Sequence, residues 1–142
     1  MTAMSLGSPR NDDPRRMREL LGHYAGLASR HDLTSVLVGL AAGEGDLLFP
    51  ELVDFLEGTL RVDDRIFRMT RERAVLFLAD VDRARAEEIV QRGLAGFRGQ
   101  LALACDLEIA LGFFQLGPGS PRVTVKDVLP TLFADPGRSL HN

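Results

Sequence analysis

A hairpin in the middle of the chain limits the folds open to this sequence more than any other feature. Two short apolar segments, Arg65–Met69 and Ala74–Leu78, have the composition of β-strands and are separated only by the charged tip TRER. Strands joined by so short a connection pair antiparallel. Tight turns favour glycine, asparagine or aspartate because these residues tolerate positive φ, so the tip is not an ordinary turn sequence.

The segments around this hairpin alternate between helical and strand-like patterns. Apolar residues at helical spacing predict helices, and apolar runs predict further strands. The predicted helices are Pro14 to about Arg30, about Leu48–Arg61, a segment capped by Asp82, and VTVKDVLPTLF with an interruption at Pro130. The further strands are 33–41 and 107–116. This order predicts an α+β, ferredoxin-like sandwich in which helices pack on one face of an antiparallel sheet.

Composition is typical of a soluble globular domain, since 45% of the 142 residues are hydrophobic and 26% are charged. The sequence lacks a run of about 18 apolar residues and an apolar signal segment, so we expect a cytoplasmic protein without membrane association. We expect a flexible N-terminus at 1–12 and a single domain at 13–142. Lys126 is the only lysine, a skew towards arginine typical of GC-rich bacterial genomes.

Net charge and cysteine content exclude further classes. The formal charge of −3 argues against non-specific binding of nucleic acid. Cys105 is the only cysteine, which excludes an internal disulfide. Burial in the core is the favoured role for Cys105, and a reactive thiol is the alternative.

The central segment resembles the signature region of the GGDEF family, the diguanylate cyclases, in which an RxxD motif precedes GGDEFAVLLPDTD. Arg61 and Asp64 match RxxD, Thr70–Ala74 occupy the five signature positions, and VLFLADVD matches the strand that follows. GDLLFPELVDFLEGTLR and LEIALGFFQL are similar to family segments on either side, so the resemblance covers most of the chain. It implies the nucleotidyl-cyclase variant of the ferredoxin-like fold.

The resemblance also implies that the cyclase chemistry is lost. Diguanylate cyclases hold Mg²⁺ with carboxylates and neutralise phosphates with backbone amides and basic groups. Here Thr70–Arg71 replace the signature glycines, Glu72 keeps one acid, and Arg73 replaces the next. Val38–Leu40 stand where the family has DID, and the family's FKxINDxxGH helix is missing after Ala42. We therefore predict that the chain is not an enzyme.

The sequence gives little support to any residue as a substitute for the lost metal ligands. Glu44 and Asp46 are favoured as a loop acid and a turn or cap residue over substitute ligands. His23, His31 and His141 have no cysteine or carboxylate partners at metal-ligand spacing. We therefore predict no metal and no other cofactor.

Arg61 and Asp64 match the motif with which this family binds its product, cyclic di-GMP. Arginine can bind a phosphate or a guanine edge through two donors, and aspartate can accept from guanine N–H groups. Arg65 and Arg68 are candidates for accessory contacts. The alternative is structural, because arginine suits a helix C-terminus and aspartate suits a turn.

Two functional hypotheses follow, and a third, an enzyme with a relocated active site, has little support in the sequence. The first is a catalytically inactive regulatory module that binds a protein partner or a second copy of itself through the tip Thr70–Arg73 or the GFFQL strand. Phe113 and Phe114 face opposite ways on that strand, so at most one is expected in the helix-covered core, and the other at a second layer or an interface. The second hypothesis is a receptor for cyclic di-GMP.

Overall fold

The structure, a computed structural model, describes residues 14–100, 108–118 and 124–133. Its elements follow the predicted order. They are α1 (Pro14–His31), β1 (Ser35–Ala41), α2 (Phe49–Glu57), β2 (Arg65–Arg68), β3 (Arg73–Leu78), α3 (Arg83–Gln100), β4 (Ala110–Leu116) and α4 (Val125–Leu132). The predictions for the N-terminus, Cys105 and His141 lie outside the described residues.

The strands form one antiparallel sheet in the order β2-β3-β1-β4. β1 lies between β3 and β4, with Leu40 opposite Ala74 on one side and Gly39 opposite Gly112 on the other. Two β-α-β units interleaved in this way are the hallmark of the ferredoxin-like arrangement. The predicted fold class is therefore confirmed.

Helices cover both faces of the sheet, so the prediction of helices on one face is wrong. α2 and α3 pack on the face that includes Val38, and α1 and α4 pack on the face that includes Leu37. β1 is apolar at almost every position, and such a run indicates burial on both sides. Phe113 and Phe114 consequently pack, half-buried, against opposite cores. The sequence predicted one helix-covered core, and the phenylalanine expected at a second layer or an interface packs against the second of two such cores.

The helix termini follow local sequence signals. Asp82 caps α3 as predicted, since its Oδ1 accepts the Arg85 N–H at 2.8 Å. Thr124 and Asp127 form a capping box at the start of α4. α4 continues through Pro130, which is exposed, so the predicted interruption is wrong. Among the described helices, none has the length and apolar character needed to cross a bilayer.

Candidate functional site

Arg61 and Asp64 lie in the turn between α2 and β2. The Asp64 N–H donates to the Arg61 carbonyl oxygen at 3.0 Å, which closes the turn. The Arg61 guanidinium binds the Asp64 carboxylate through two donors, Nε to Oδ2 and Nη2 to Oδ1, each at 2.9 Å. The Asp64 side chain is 3% exposed and the Arg61 side chain 52%. The structure therefore pairs the two predicted ligand-binding residues with each other.

The Asp64 carboxylate also accepts two backbone N–H groups. Oδ2 accepts from Arg61 N at 3.1 Å, and Oδ1 accepts from Ala79 N at 3.0 Å. The Arg61 guanidinium donates in addition to the Ala79 carbonyl oxygen. Hydrogen bonding to Asp64 raises the pKa of Arg61. Each carboxylate oxygen thus has two donors from within the domain, and the pair ties the turn to the end of β3.

The two candidate accessory arginines also have partners within the domain. Arg65 Nη1 donates to the carbonyl oxygens of Val62 at 2.6 Å and Asp64 at 2.8 Å. Arg68 Nη2 forms ion pairs with Asp54 at 2.6 Å and Glu57 at 2.9 Å. Their accessory role in ligand binding stays a prediction.

A cavity of about 330 Å³ lies beside Arg61, between the end of α2 and α3. Its lining combines basic and apolar residues with the acidic Asp64 and the polar Thr59. The lining residues are Phe55, Thr59, Leu60, Arg61, Asp64, Arg85, Ile89, Arg92 and Gly93. Its volume is at the small end of the range for small-molecule sites.

Sequence reasoning missed the contribution of α3 to this cavity. Arg85, Ile89 and Arg92 lie four and three residues apart, so they share one helix face. That spacing is visible in the sequence, but nothing in it places this face beside Arg61.

Glu88 lies between the two arginines that α3 contributes. Its Oε1 accepts from Arg85 Nη1 at 2.7 Å, and its Oε2 accepts from Arg92 Nη2 at 3.1 Å. The hydrogen bond from Arg85 lowers the pKa of the Glu88 carboxyl, which is therefore ionised at neutral pH. Arg85 and Arg92 thus already bind a carboxylate of their own helix.

The tip Thr70–Arg73 forms a closed turn in which the Met69 and Thr70 N–H groups donate to the Arg73 carbonyl oxygen. Arg71 is exposed, and the Arg73 guanidinium lies 5.2 Å from the centre of the Phe133 ring. Ala74, the last signature position, is buried in β3. The tip is therefore a surface feature anchored on a buried strand.

The short loop after β1 folds against this tip. The Ala42 N–H donates to the Glu72 carbonyl oxygen at 2.8 Å, and the Gly45 N–H donates to Glu72 Oε2 at 3.2 Å. Gly45 has a φ of +79°, a conformation that favours glycine. The loop between β1 and α2 is thus joined to Glu72 at two points.

The remaining acids near the tip have local roles. Asp46 Oδ1 accepts the N–H groups of Leu48 at 2.8 Å and Phe49 at 3.1 Å, which holds the turn that leads into α2. Glu44 is exposed. Within residues 14–100, 108–118 and 124–133, no three His, Cys, Asp or Glu side chains are grouped so that they could hold a metal ion.

Scans of protein-family models and of curated proteins gave no match to this sequence. Solved structures do match its fold. The FimX GGDEF domain of Pseudomonas aeruginosa is 13% identical with a TM-score of 0.71, over 92% of this chain and 94% of that one. The DgcB GGDEF domain of Caulobacter crescentus, in complex with c-di-GMP, is 10% identical with a TM-score of 0.68, over 99% and 93%.

A third similar structure is the diguanylate cyclase SiaD of P. aeruginosa in complex with its activator SiaC. It is 22% identical with a TM-score of 0.69, over 90% of this chain and 58% of that one. The chain therefore has a GGDEF-like fold, in agreement with the resemblance of its central segment.

Proposed function

We propose that this chain is a catalytically inactive, GGDEF-like regulatory module that acts by protein–protein interaction. The observation that carries the proposal is the hairpin tip. Thr70 and Arg71 have side chains where the family has glycines, and Glu72 is engaged by the Gly45 amide at 3.2 Å. A tip of this kind lacks the open backbone that a metal-bound triphosphate needs, and one oxygen of its carboxylate already accepts a backbone amide.

The end of β1 supports the loss of catalysis. Val38 and Leu40 are fully buried in the core between the sheet and the α2–α3 layer. β1 thus supplies apolar packing where the family's metal-binding acids stand. Arg71 and Arg73 flank Glu72 with positive charge, which disfavours a divalent cation there.

The same region offers a surface for a partner. Arg71 is exposed on the tip, and Leu47 is 79% exposed in the loop whose Gly45 contacts Glu72. An exposed apolar side chain in the loop that contacts the tip, together with the exposed arginines of the tip, suits a partner surface that combines an apolar spot with acidic residues. The partner is another protein or a second copy of this chain.

Reversing the charge at Arg71 is expected to weaken this interaction. Arg71→Glu places an acid opposite an acidic partner surface, and we expect at least a tenfold loss of affinity, about 1.4 kcal/mol. Sedimentation velocity over a range of concentrations measures self-association, and affinity capture with the variant as bait measures binding of other proteins.

Arg30→Glu is the matched control. Arg30 is exposed at the end of α1, which leads into the start of β1, whereas the tip lies beside the end of β1. The same charge reversal is therefore made away from the tip. Equal effects of the two variants would contradict an interaction centred on the tip.

The second candidate function is a receptor for cyclic di-GMP, and the cavity beside Arg61 favours it. Arg61, Arg85 and Arg92 can meet phosphate oxygens, and apolar Phe55 and Ile89 can pack against a base. DgcB and another microbial GGDEF domain have been solved with this dinucleotide. The Asp64 carboxylate already accepts from four donors, so it has little capacity left to bind guanine N–H groups directly. In this version Arg61 binds the ligand and Asp64 orients Arg61.

Calorimetric titrations with cyclic di-GMP and with GTP separate the two candidates. A receptor binds cyclic di-GMP with a micromolar Kd and loses at least about tenfold in affinity in Arg61→Ala and in Arg92→Ala. An interaction module gives no heat with either nucleotide. Neither candidate turns over GTP, so dinucleotide synthesis in the presence of Mg²⁺ or Mn²⁺ would overturn the loss of catalysis. Arg98→Ala, on α3 but outside the cavity lining, is the control.

A further inference from the structure

We infer that Glu88 is a built-in counter-ion of the cavity beside α3, and that it limits how tightly this cavity takes a phosphate-bearing ligand. The inference rests on the proposed receptor function in one respect, because it takes Arg85 and Arg92 as groups that bind the ligand's phosphate. Arg85 and Arg92 both line the cavity, and both bind Glu88, at 2.7 and 3.1 Å.

Geometry makes Glu88 a direct competitor. A guanidinium binds a carboxylate or a phosphate with the same N–H donors, so each arginine that binds Glu88 has fewer donors for a ligand. A phosphate that enters the cavity must displace Glu88 from these donors or share them with it. In either case the ligand also approaches an ionised carboxylate of like charge.

The exposure of the three side chains sets the expected size of the change in ligand affinity. Arg85 and Arg92 are 51% and 68% exposed and Glu88 is 55% exposed, so each ion pair is weak in water. Two such pairs together with one like-charge repulsion correspond to about a three- to tenfold reduction in ligand affinity. This is a restraint on affinity and does not block the site.

The neighbouring residue offers a close structural control. Glu87 binds Arg83 at 3.0 Å, and this pair is as exposed as the Glu88 pairs. Arg83 is outside the cavity lining, and its guanidinium lies 5.1 Å from the centre of the Phe113 ring. Glu87→Gln and Glu88→Gln therefore make the same change in net charge on the same helix, but only Glu88→Gln releases cavity arginines.

The test compares wild type, Glu88→Gln and Glu87→Gln with two probes. Calorimetry measures cyclic di-GMP, and NMR of the arginine Nε–H groups follows inorganic pyrophosphate. We expect Glu88→Gln to bind about three- to tenfold more tightly than wild type, and Glu87→Gln to stay within about twofold. Thermal unfolding checks that both variants remain folded.

Each outcome decides the inference. Tighter pyrophosphate binding in Glu88→Gln alone supports it, and if cyclic di-GMP then binds no variant, the receptor function fails while the counter-ion role stands. Equal affinities of Glu88→Gln and Glu87→Gln for a probe that binds overturn the inference. Absence of binding of both probes to all three proteins overturns the inference and the receptor function together.

Discussion

Asp64→Ala is expected to lower the free energy of unfolding by about 3 kcal/mol. The substitution leaves the Ala79 N–H, which is buried, without its acceptor, and removes the acceptor of the Arg61 N–H. It also deprives the Arg61 guanidinium of its two-donor partner. Urea unfolding followed by circular dichroism measures the loss.

Neighbouring variants show whether this loss has the proposed cause. Asp63 is exposed, so Asp63→Ala should change stability by no more than about 0.5 kcal/mol. Arg61→Ala should cost less than Asp64→Ala, about 1–2 kcal/mol, because two backbone donors still reach the carboxylate and water can replace the half-exposed guanidinium. A fully stable Asp64→Ala protein would show that the carboxylate has no structural role.

The stability of Asp64→Ala also tests whether the RxxD motif has a structural role in this chain. The fold itself uses Asp64, because the carboxylate joins the turn after α2 to the end of β3. Retention of the motif therefore needs no ligand to explain it. Arg61 is the better probe of ligand binding, since its substitution should leave the domain folded.

The sequence predicted the element order and the fold class because both depend on local signals. The hairpin stood out by its two apolar strands, and Asp82 marked the start of α3 by its capping chemistry. The structural alternative for Arg61 and Asp64 assigned them to a helix end and a turn, and the two residues do share one turn. Each of these features depends on residues close together in the chain.

Features that depend on distant residues could not be predicted. Alternation of apolar and polar residues identifies the covered face of a strand only when the other face is exposed, and β1 is buried along six of its seven positions. The cavity joins Arg61 to Arg85 and Arg92, and only the packing of α2 against α3 brings them together. The contact of Gly45 with Glu72 likewise spans 27 positions in the sequence.

The second large effect is expected at Gly112, where α4 comes closest to the sheet. A methyl group there would lie 2.8 Å from the carbonyl carbon and 2.9 Å from the Cα of Leu132. These are backbone atoms at the end of α4, so relief requires a shift of the helix and of the core that Val128 and Leu132 fill. We expect Gly112→Ala to lower the free energy of unfolding by about 2–3 kcal/mol.

Whether Gly112→Ala loses or gains stability decides this test. Without the contact, alanine in a strand should stabilise by about 0.5–1 kcal/mol relative to glycine, so a loss of stability measures the clash.

Gly39, opposite Gly112 in the register, would place a methyl 2.7 Å from the Leu132 carbonyl oxygen, and Gly39→Ala should also destabilise. Gly22 in α1 has no heavy atom within 4 Å of such a methyl, so Gly22→Ala should stabilise by about 0.5–1 kcal/mol. Chemical denaturation of the three variants measures these differences, and a stabilised Gly112→Ala protein would contradict the close packing of α4 on the sheet.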